Sequence, residues 1–169
     1  VKGCANFSDV TSDGDYVGGI AGYSSSQIDS SYAKQYISGK RYVGGVVGYG
    51  KKISGCASMT NKGKADQYLG AIAGNVEAIN TTDISNNKYY AKDIYGIDGV
   101  SYRGMAEGCS YRSLLKIPGI PDEFSTLSVT FMDDEDEVVG TVECRYGESI
   151  DESQIPEVPD KEGFFGSWK

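Results

Sequence analysis

The chain has 169 residues, a formal net charge of −8 and no histidine. That length suits one ordinary domain, or a medium module with a small one. Because phosphate contacts need clustered lysine and arginine, this acidic chain is a poor candidate for nucleic-acid binding. The lack of histidine excludes Ser-His and Cys-His nucleophiles, and no apolar run is long enough for a membrane span.

The composition changes sharply near residue 112. Residues 1–112 contain 12 basic and 10 acidic residues, 18 of the 23 glycines, 12 of the 13 tyrosines and no proline. Residues 113–169 contain 4 basic and 14 acidic residues and all four prolines. We therefore predict three parts: a repeat region over 1–110, a short helix with a proline-containing linker over 111–125, and a small acidic β module over 126–169.

The repeat region is marked by a heptad that recurs every 26 residues. Its copies begin at Tyr16, Tyr42 and Tyr68, and the first reads Tyr-Val-Gly-Gly-Ile-Ala-Gly. A fourth copy is eroded to 97–100, and the stretch 75–87 is about eight residues longer than its counterparts. Short strands and glycine turns at this period predict a parallel β-solenoid, resembling a β-helix, of about four coils.

In such a stack, residues 26 apart lie above one another. Three columns of like residues follow from this spacing: an inward ladder of Val17, Val43 and Leu69, a second ladder of Ile20, Val46 and Ile72, and an aromatic column of Tyr16, Tyr42 and Tyr68. A weaker Cys/Tyr-Ala signal begins at residues 4, 32, 56 and 90, and Ile28, Ile53 and Ile84 precede the later copies. The glycines at 18, 44, 70 and 22, 48, 74 are interpreted as tight turns or positions of positive φ.

Charged residues agree with the same register. It places Asp15 beside Arg41 and Lys40 beside Asp66, as ion pairs between neighbouring coils that mark the register. The four cysteines fit no close-spaced zinc pattern. Cys4 and Cys56 would lie two coils apart, about 9.6 Å at roughly 4.8 Å per coil, which is too far for a disulfide. We expect free, mostly buried thiols.

The heptads resemble the GLUG-motif repeats of bacterial surface proteins, whose signature is aromatic-aliphatic-Gly-Gly/Leu-aliphatic-Ala/Val-Gly. The resemblance covers roughly residues 1–90, with Ala71 in place of the second glycine in the third copy. It implies a part of a large secreted or wall-attached bacterial protein, such as an adhesin or a non-catalytic region of a surface peptidase.

The acidic module begins after a short helix over 110–116 with a serine cap, which Ile117-Pro118 ends. A hairpin is predicted from inward-facing Leu127, Val129 and Phe131, an acidic turn over 133–137, and inward-facing Val142, Cys144 and Tyr146. With Tyr146-Gly147, Pro156-Glu157-Val158-Pro159 and the Gly-aromatic ending at Trp168, the module is similar to the internalin B-repeat, which implies a small β-grasp-like sheet.

Candidate sites were weighed against structural roles. Asp15, Lys40, Arg41 and Asp66 allow a solenoid polysaccharide-cleaving site, but solvated ion pairs are favoured, and we expect no enzyme activity, catalytic residue or cofactor. The run Asp133 to Glu137 lacks the spacing of a calcium loop, so a solvated turn is favoured over a metal site. Tyr16, Tyr42 and Tyr68 are expected to fill coil corners, whereas Tyr23 and Tyr49 are better candidates for exposed contacts with a sugar or protein.

The predicted function is a non-enzymatic, extracellular or cell-surface segment that acts as an adhesion scaffold or rigid spacer. The alternative is an accessory region of a surface-bound peptidase or glycoside hydrolase whose catalytic domain lies outside this chain. Expected partners are a host or matrix protein or glycan, or a cell-wall polymer, with no nucleic acid and no membrane insertion. The residues that contact such a ligand are not specified by the pattern.

Overall fold

The computed structural model describes residues 1–160, 163 and 166–168. The chain is all-β, with 45% strand and 6% helix. It divides into two compact units, Val1–Phe124 and Ser125–Lys169. No helix in the described residues is both long and apolar enough to cross a bilayer.

The first unit contains short strands in a repeating order. These strands are β1 (Ala5–Asn6), β2 (Val10–Thr11), β3 (Asp15–Gly18), β4 (Ala21–Asp29), β5 (Tyr32–Ala33), β6 (Ile37–Ser38), β7 (Arg41–Gly44), β8 (Val47–Ser54), β9 (Ala57–Ser58), β10 (Gly63–Lys64), β11 (Gln67–Gly70), β12 (Ala73–Val76), β13 (Ile84–Ser85), β14 (Asn87–Tyr90) and β15 (Ala106–Cys109). The helix α1 (Tyr111–Leu114) and a 3-10 turn (Asp122–Phe124) follow.

These strands form four parallel sheets. The sheets have the orders β1-β5-β9-β14-β15, β2-β6-β10 and β3-β7-β11, and in the fourth β8 lies between β4 and the pair β12 and β13. The first three repeats are β1–β4, β5–β8 and β9–β13. Each of them therefore adds one strand position to every sheet. Consecutive repeats lie side by side, and the hydrogen bonds that hold the unit together run mainly between repeats.

The predicted ladders are confirmed. Val43 is paired with Val17 on one side and Leu69 on the other, and Ile53 is paired with Ile28 and Ile84. For the second ladder, the Ile20 N–H donates to the Val46 carbonyl (2.9 Å), and the Val46 N–H donates to the Ile72 carbonyl (3.0 Å). Val46 and Ile72 are fully buried. Each such side chain contributes about 1.5–3 kcal/mol on burial, so columns of like residues supply the core of this unit.

The register differs from the prediction in three places. The alanines of the weaker signal are not paired with one another, because Ala5 pairs with Tyr32, Tyr32 with Ala57, and Ala57 with Lys88. The stretch after β12 is longer by five residues and not eight, since Ile53 and Ile84 are 31 apart. The eroded copy at 97–100 does not lie over Tyr68: Ile97 bridges to Ala73, and the chain then reverses in a tight turn.

A buried asparagine joins the third repeat to the strand that follows the longer stretch. The Asn87 side chain accepts a hydrogen bond from the Cys56 N–H (3.0 Å). It donates to the carbonyls of Ile53 (3.0 Å) and Met105 (2.9 Å). The amide group is thereby satisfied by backbone groups from the levels on both sides of it, as burial of a polar group requires.

The segment predicted as a linker over 111–125 packs onto the first unit up to Phe124. Ser110 caps α1 as expected, because its side chain accepts a hydrogen bond from the Ser113 N–H. Leu114 and Phe124 are fully buried and pack with Ala57 and surrounding apolar residues on the outer side of the five-stranded sheet. An apolar cover of this kind removes that sheet face from water.

The second unit is built on a hairpin. Strands β16 (Thr126–Met132) and β17 (Val138–Arg145) pair antiparallel, with Leu127 opposite Cys144 and Val129 opposite Val142, which confirms the predicted alternation. Tyr146 is an exception: it lies beyond the end of β17 and is exposed, so the prediction that it faces inward is wrong. Of the predicted Gly-aromatic ending, residues 162, 164 and 165 lie outside the described residues.

The four cysteines are free. Only Cys56 is buried, whereas Cys109 and Cys144 are half-buried and Cys4 is exposed, so the expectation of mostly buried thiols is wrong. Cys4 and Cys56 lie two levels apart as predicted, because the Tyr32 N–H donates to the Cys4 carbonyl and the Ala57 N–H donates to the Ser31 carbonyl, one level further.

Candidate binding surface

A column of three tyrosines lies along the start of β3, β7 and β11. The rings of Tyr16 and Tyr42 have centroids 4.9 Å apart and planes 4° apart. Tyr42 and Tyr68 repeat this arrangement at 4.6 Å and 8°. The predicted aromatic column is therefore confirmed, with each ring stacked on the equivalent ring of the next repeat.

The backbone places these rings outside. Tyr16, Tyr42 and Tyr68 have positive φ angles of 60°, 54° and 61°. For a bulky residue this conformation is unusual and costs about 1–2 kcal/mol. It makes a corner at which the tyrosine points outward and the next residue, Val17 or Val43, points into the core.

Of the two roles predicted for the heptad glycines, the positive φ is wrong, whereas the tight turn agrees with the structure. None of the six has a positive φ in the structure. A Cβ on Gly44 would lie 2.0 Å from the Val47 carbonyl oxygen and 2.5 Å from the Gly74 nitrogen. These glycines are required because neighbouring backbones approach closely at the corner, and the left-handed conformation falls on the tyrosines.

A second tyrosine column lies beside the first. Tyr23 and Tyr49 are in register on β4 and β8, with ring centroids 5.8 Å apart and planes 4° apart. Asn75 takes the equivalent place in the third repeat. Edge-to-face contacts link the columns, at 5.9 Å for Tyr16 with Tyr23 and 5.7 Å for Tyr42 with Tyr49. We call the five rings the tyrosine face: Tyr16, Tyr23, Tyr42, Tyr49 and Tyr68.

The tyrosine face is exposed to solvent at the first repeat and half-buried elsewhere. Tyr23 is 60% exposed and Tyr16 is 45% exposed, whereas Tyr42, Tyr49 and Tyr68 are half-buried. Tyr42 has a stacked ring on each side, so it presents mainly its edge and hydroxyl group. Of the two rings that were the better candidates for exposure, Tyr23 is exposed and Tyr49 is half-buried. Tyr16, which was expected to fill a corner, is exposed as well.

Ion pairs flank the tyrosine face on both sides. The Arg41 guanidinium binds Asp15 with Nε 3.1 Å from each carboxylate oxygen, as the register predicted. This hydrogen bond holds the pKa of Asp15 below its usual value and raises that of Arg41. On the other side, Lys51 and Glu77 pair at 3.1 Å. The second pair was missed, although its 26-residue spacing was a signal for it.

The tyrosine face also alters one of its own hydroxyl groups. Burial raises the pKa of Tyr49, and the neighbouring Glu77 carboxylate acts in the same direction. A tyrosine phenol is neutral at physiological pH in any case and can both donate and accept a hydrogen bond, and this shift extends that range to higher pH.

Of the two ion pairs predicted among Asp15, Lys40, Arg41 and Asp66, the described structure contains one, Asp15 with Arg41. Asp66 forms no ion pair with Lys40 within 4.0 Å in the described structure, although their backbones are hydrogen-bonded as the register requires. Lys40 acts instead on Asp15, whose pKa it helps to lower. A general acid needs a carboxyl pKa raised toward neutrality, so the shift at Asp15 is in the opposite direction.

The acidic run of the second unit forms the hairpin turn. The Asp133 carboxylate accepts hydrogen bonds from the backbone N–H groups of Glu135 and Glu137, both at 2.9 Å. Within the described residues, no group of three or more histidine, cysteine, aspartate or glutamate side chains is placed to hold a metal ion. Asp133 thus shapes the turn.

Comparison of the chain with protein-family models, with curated proteins and with solved structures found no match.

Proposed function

We propose that residues 1–110 form a parallel β-solenoid that serves as a non-enzymatic binding scaffold in a secreted or cell-surface protein. The observation that carries this proposal is the tyrosine face. Five rings are held in two columns by a register that also builds the core, and the rings at the first repeat are the most exposed. The resemblance to GLUG-motif repeats agrees with a bacterial surface protein, and the second unit is proposed as its B-repeat-like module.

Physical chemistry favours such a face for binding. Tyrosine offers a large apolar area and a hydroxyl group, and it loses little conformational freedom when it is already packed. Stacking fixes Tyr42 and Tyr49 before any ligand arrives, so part of the ordering entropy of binding is already spent in folding. The flanking Asp15–Arg41 and Lys51–Glu77 pairs provide the polar rim that is typical of binding surfaces.

The same geometry limits the class of partner. Sugar rings bind aromatic side chains through an open ring face, and stacking covers these faces in the middle of the columns. Tyr16 and Tyr23, the two exposed rings, each have a stacked ring on one side only, while Tyr42, between two stacked rings, offers its edge and hydroxyl group. We propose a glycan, matrix protein or cell-wall polymer that contacts the two outer rings and hydrogen-bonds along the columns.

The test is a screen of the full chain against a glycan array and a set of matrix proteins. The double variant Tyr16→Asn/Tyr23→Ser removes both exposed rings, and asparagine tolerates the positive φ at position 16. Any ligand found should bind this variant at least about tenfold more weakly. Tyr36→Ala is the matched control, since Tyr36 is exposed but lies outside the tyrosine face. Equal losses in both variants, or no ligand in the screen, would count against the proposal.

A rigid spacer is the second candidate, and the two covered faces of Tyr42 favour it because stacked rings stabilise the scaffold without a ligand. This role extends to an accessory region beside a catalytic domain. A spacer predicts that Tyr16→Asn/Tyr23→Ser leaves the function of the parent protein intact, while deletion of the 26 residues 41–66 shortens its reach and impairs it.

A further inference from the structure

The second unit contains a cleft of about 820 Å³ beside its hairpin. One side is formed by residues 129–135, at the end of β16 and in the acidic turn, and the other by residues 158–160 and 166–168. A volume of this size falls within the range of ligand pockets, about 300–1,000 Å³. The cleft belongs to a different unit from the tyrosine face.

The inner surface of the cleft is aromatic and apolar. Phe131 and Trp168 meet edge to face with ring centroids 5.0 Å apart. The Trp168 indole N–H donates to the Pro156 carbonyl (2.8 Å), which fixes the ring. Val129 and Val158, both half-buried, extend the apolar lining.

The rim of the cleft is acidic. Every titratable side chain lining its described part is a carboxylate: Asp133, Asp134, Glu135 and Asp160. The unit around it, residues 125–169, carries 12 acidic and 3 basic residues. Attraction for a cation therefore comes both from the rim and from the field of the whole unit.

Two observations indicate which kind of cation fits this cleft. A metal ion is disfavoured, because the described carboxylates are not grouped to hold one and the cleft interior is apolar. An organic cation uses both features, since its charge meets the carboxylates while its stem or face lies on Phe131 and Trp168. Arginine suits this best, because its planar group stacks on aromatic rings and pairs with carboxylates.

We propose that this cleft binds an extended peptide segment of a partner protein through an arginine or lysine side chain. The cationic group lies over the Trp168 and Phe131 rings, and Glu135 and Asp160 neutralise it. The peptide flanks of that residue lie along 129–132 and 158–160.

The probe is an acetylated, amidated five-residue peptide of alternating leucine and arginine, titrated into the full chain by calorimetry. Its counterpart carries citrulline in place of arginine, which keeps the shape and removes the charge. Because Trp168 is the one tryptophan of the chain, its fluorescence reports on the cleft directly. We expect the arginine peptide to bind at least about tenfold more tightly than the citrulline peptide, to change the Trp168 emission, and to weaken as salt is added.

Two double variants with equal net charge locate the site. Glu135→Gln/Asp160→Asn removes two rim carboxylates, and the affinity should fall at least about threefold. Glu143→Gln/Glu148→Gln removes two exposed carboxylates that do not line the cleft, and the affinity should stay within about twofold. Equal losses in both variants, equal binding of the citrulline peptide, an unchanged Trp168 emission or no binding at millimolar peptide would each overturn the proposal. Thermal unfolding of the variants verifies that the hairpin is intact.

Discussion

Substitution of Tyr42 separates two opposing contributions of the aromatic column. Tyr42 has a stacked ring on each side, at 4.9 Å and 4.6 Å, and its φ is 54°. The stacked pairs stabilise the fold, whereas the left-handed backbone opposes it. Tyr42→Ala removes the stacking and keeps the strain, while Tyr42→Gly removes both.

The magnitudes follow from these contacts. Two stacked pairs contribute about 0.5–1.5 kcal/mol each, so Tyr42→Ala should lower the free energy of unfolding by about 2–4 kcal/mol when lost burial is included. Glycine avoids a strain of about 1–2 kcal/mol and loses about 0.5–1 kcal/mol through unfolded-state entropy. Tyr42→Gly should therefore be about 0.5–1 kcal/mol more stable than Tyr42→Ala, the reverse of the usual order inside a strand.

Urea unfolding followed by far-UV circular dichroism and tyrosine fluorescence measures these differences, because 12 of the 13 tyrosines lie in residues 1–112. Tyr23 supplies the matched control: it is stacked on Tyr49, but its φ is not positive. For Tyr23, alanine should be more stable than glycine. The reasoning is refuted if Tyr42→Ala is as stable as Tyr42→Gly, or if both stay within about 0.5 kcal/mol of the original chain.

Three further outcomes are expected. Gly44→Ala should prevent folding of the first unit or lower its urea midpoint severely, since the new Cβ would lie 2.0 Å from a carbonyl oxygen. Gly14→Ala should be tolerated, because its Cβ would lie 3.4 Å from a side-chain oxygen. Equal urea midpoints for the two variants would contradict this prediction. The Arg41 hydrogen bond lowers the folded-state pKa of Asp15, so its stabilising contribution is present above the unfolded pKa, near 3.9, and is lost as pH falls through the lower folded value. Subtraction of the acid-unfolding curve of Asp15→Asn from that of the original chain should reveal this contribution, and superimposable curves would exclude it. Burial raises the pKa of the Cys56 thiol to about 11. At pH 8 a thiol reagent should therefore modify exposed Cys4 first and Cys56 only on unfolding. Mass spectrometry of the labelled peptides can verify or contradict this order.

The parts of the fold that the sequence predicts correctly are those repeated at 26 residues. Val17 over Val43, Tyr16 over Tyr42 and Asp15 beside Arg41 follow from one spacing, because parallel pairing places equivalent side chains next to each other. The hairpin pairing of Leu127 with Cys144 followed from alternation alone. Both the stacked columns and the hairpin pairing therefore follow from periodic spacing along the sequence.

What the sequence does not predict depends on contacts distant along the chain. The heptad glycines are interpreted as tight turns or positions of positive φ. At Gly44 the approach of Val47, three residues on, is local, but the approach of Gly74 from the next repeat is not visible in any local pattern. Leu114 and Phe124 looked like parts of a linker, since prolines separate them, yet both cover the five-stranded sheet. The cleft was missed because Phe131 and Trp168 are 37 residues apart.

The loop between β12 and β13 shows where this scaffold tolerates change. Its five extra residues leave Ile84 beside Ile53, and ion pairs from Glu77 to Lys51 and from Asp83 to Lys52 hold its two ends to β8. Doubling the length of a loop costs only about 0.6 kcal/mol in closure entropy. Foreign peptides could therefore be grafted at residues 78–82 while the strands on either side stay in place, which makes this corner an attachment point for epitopes or reporter tags.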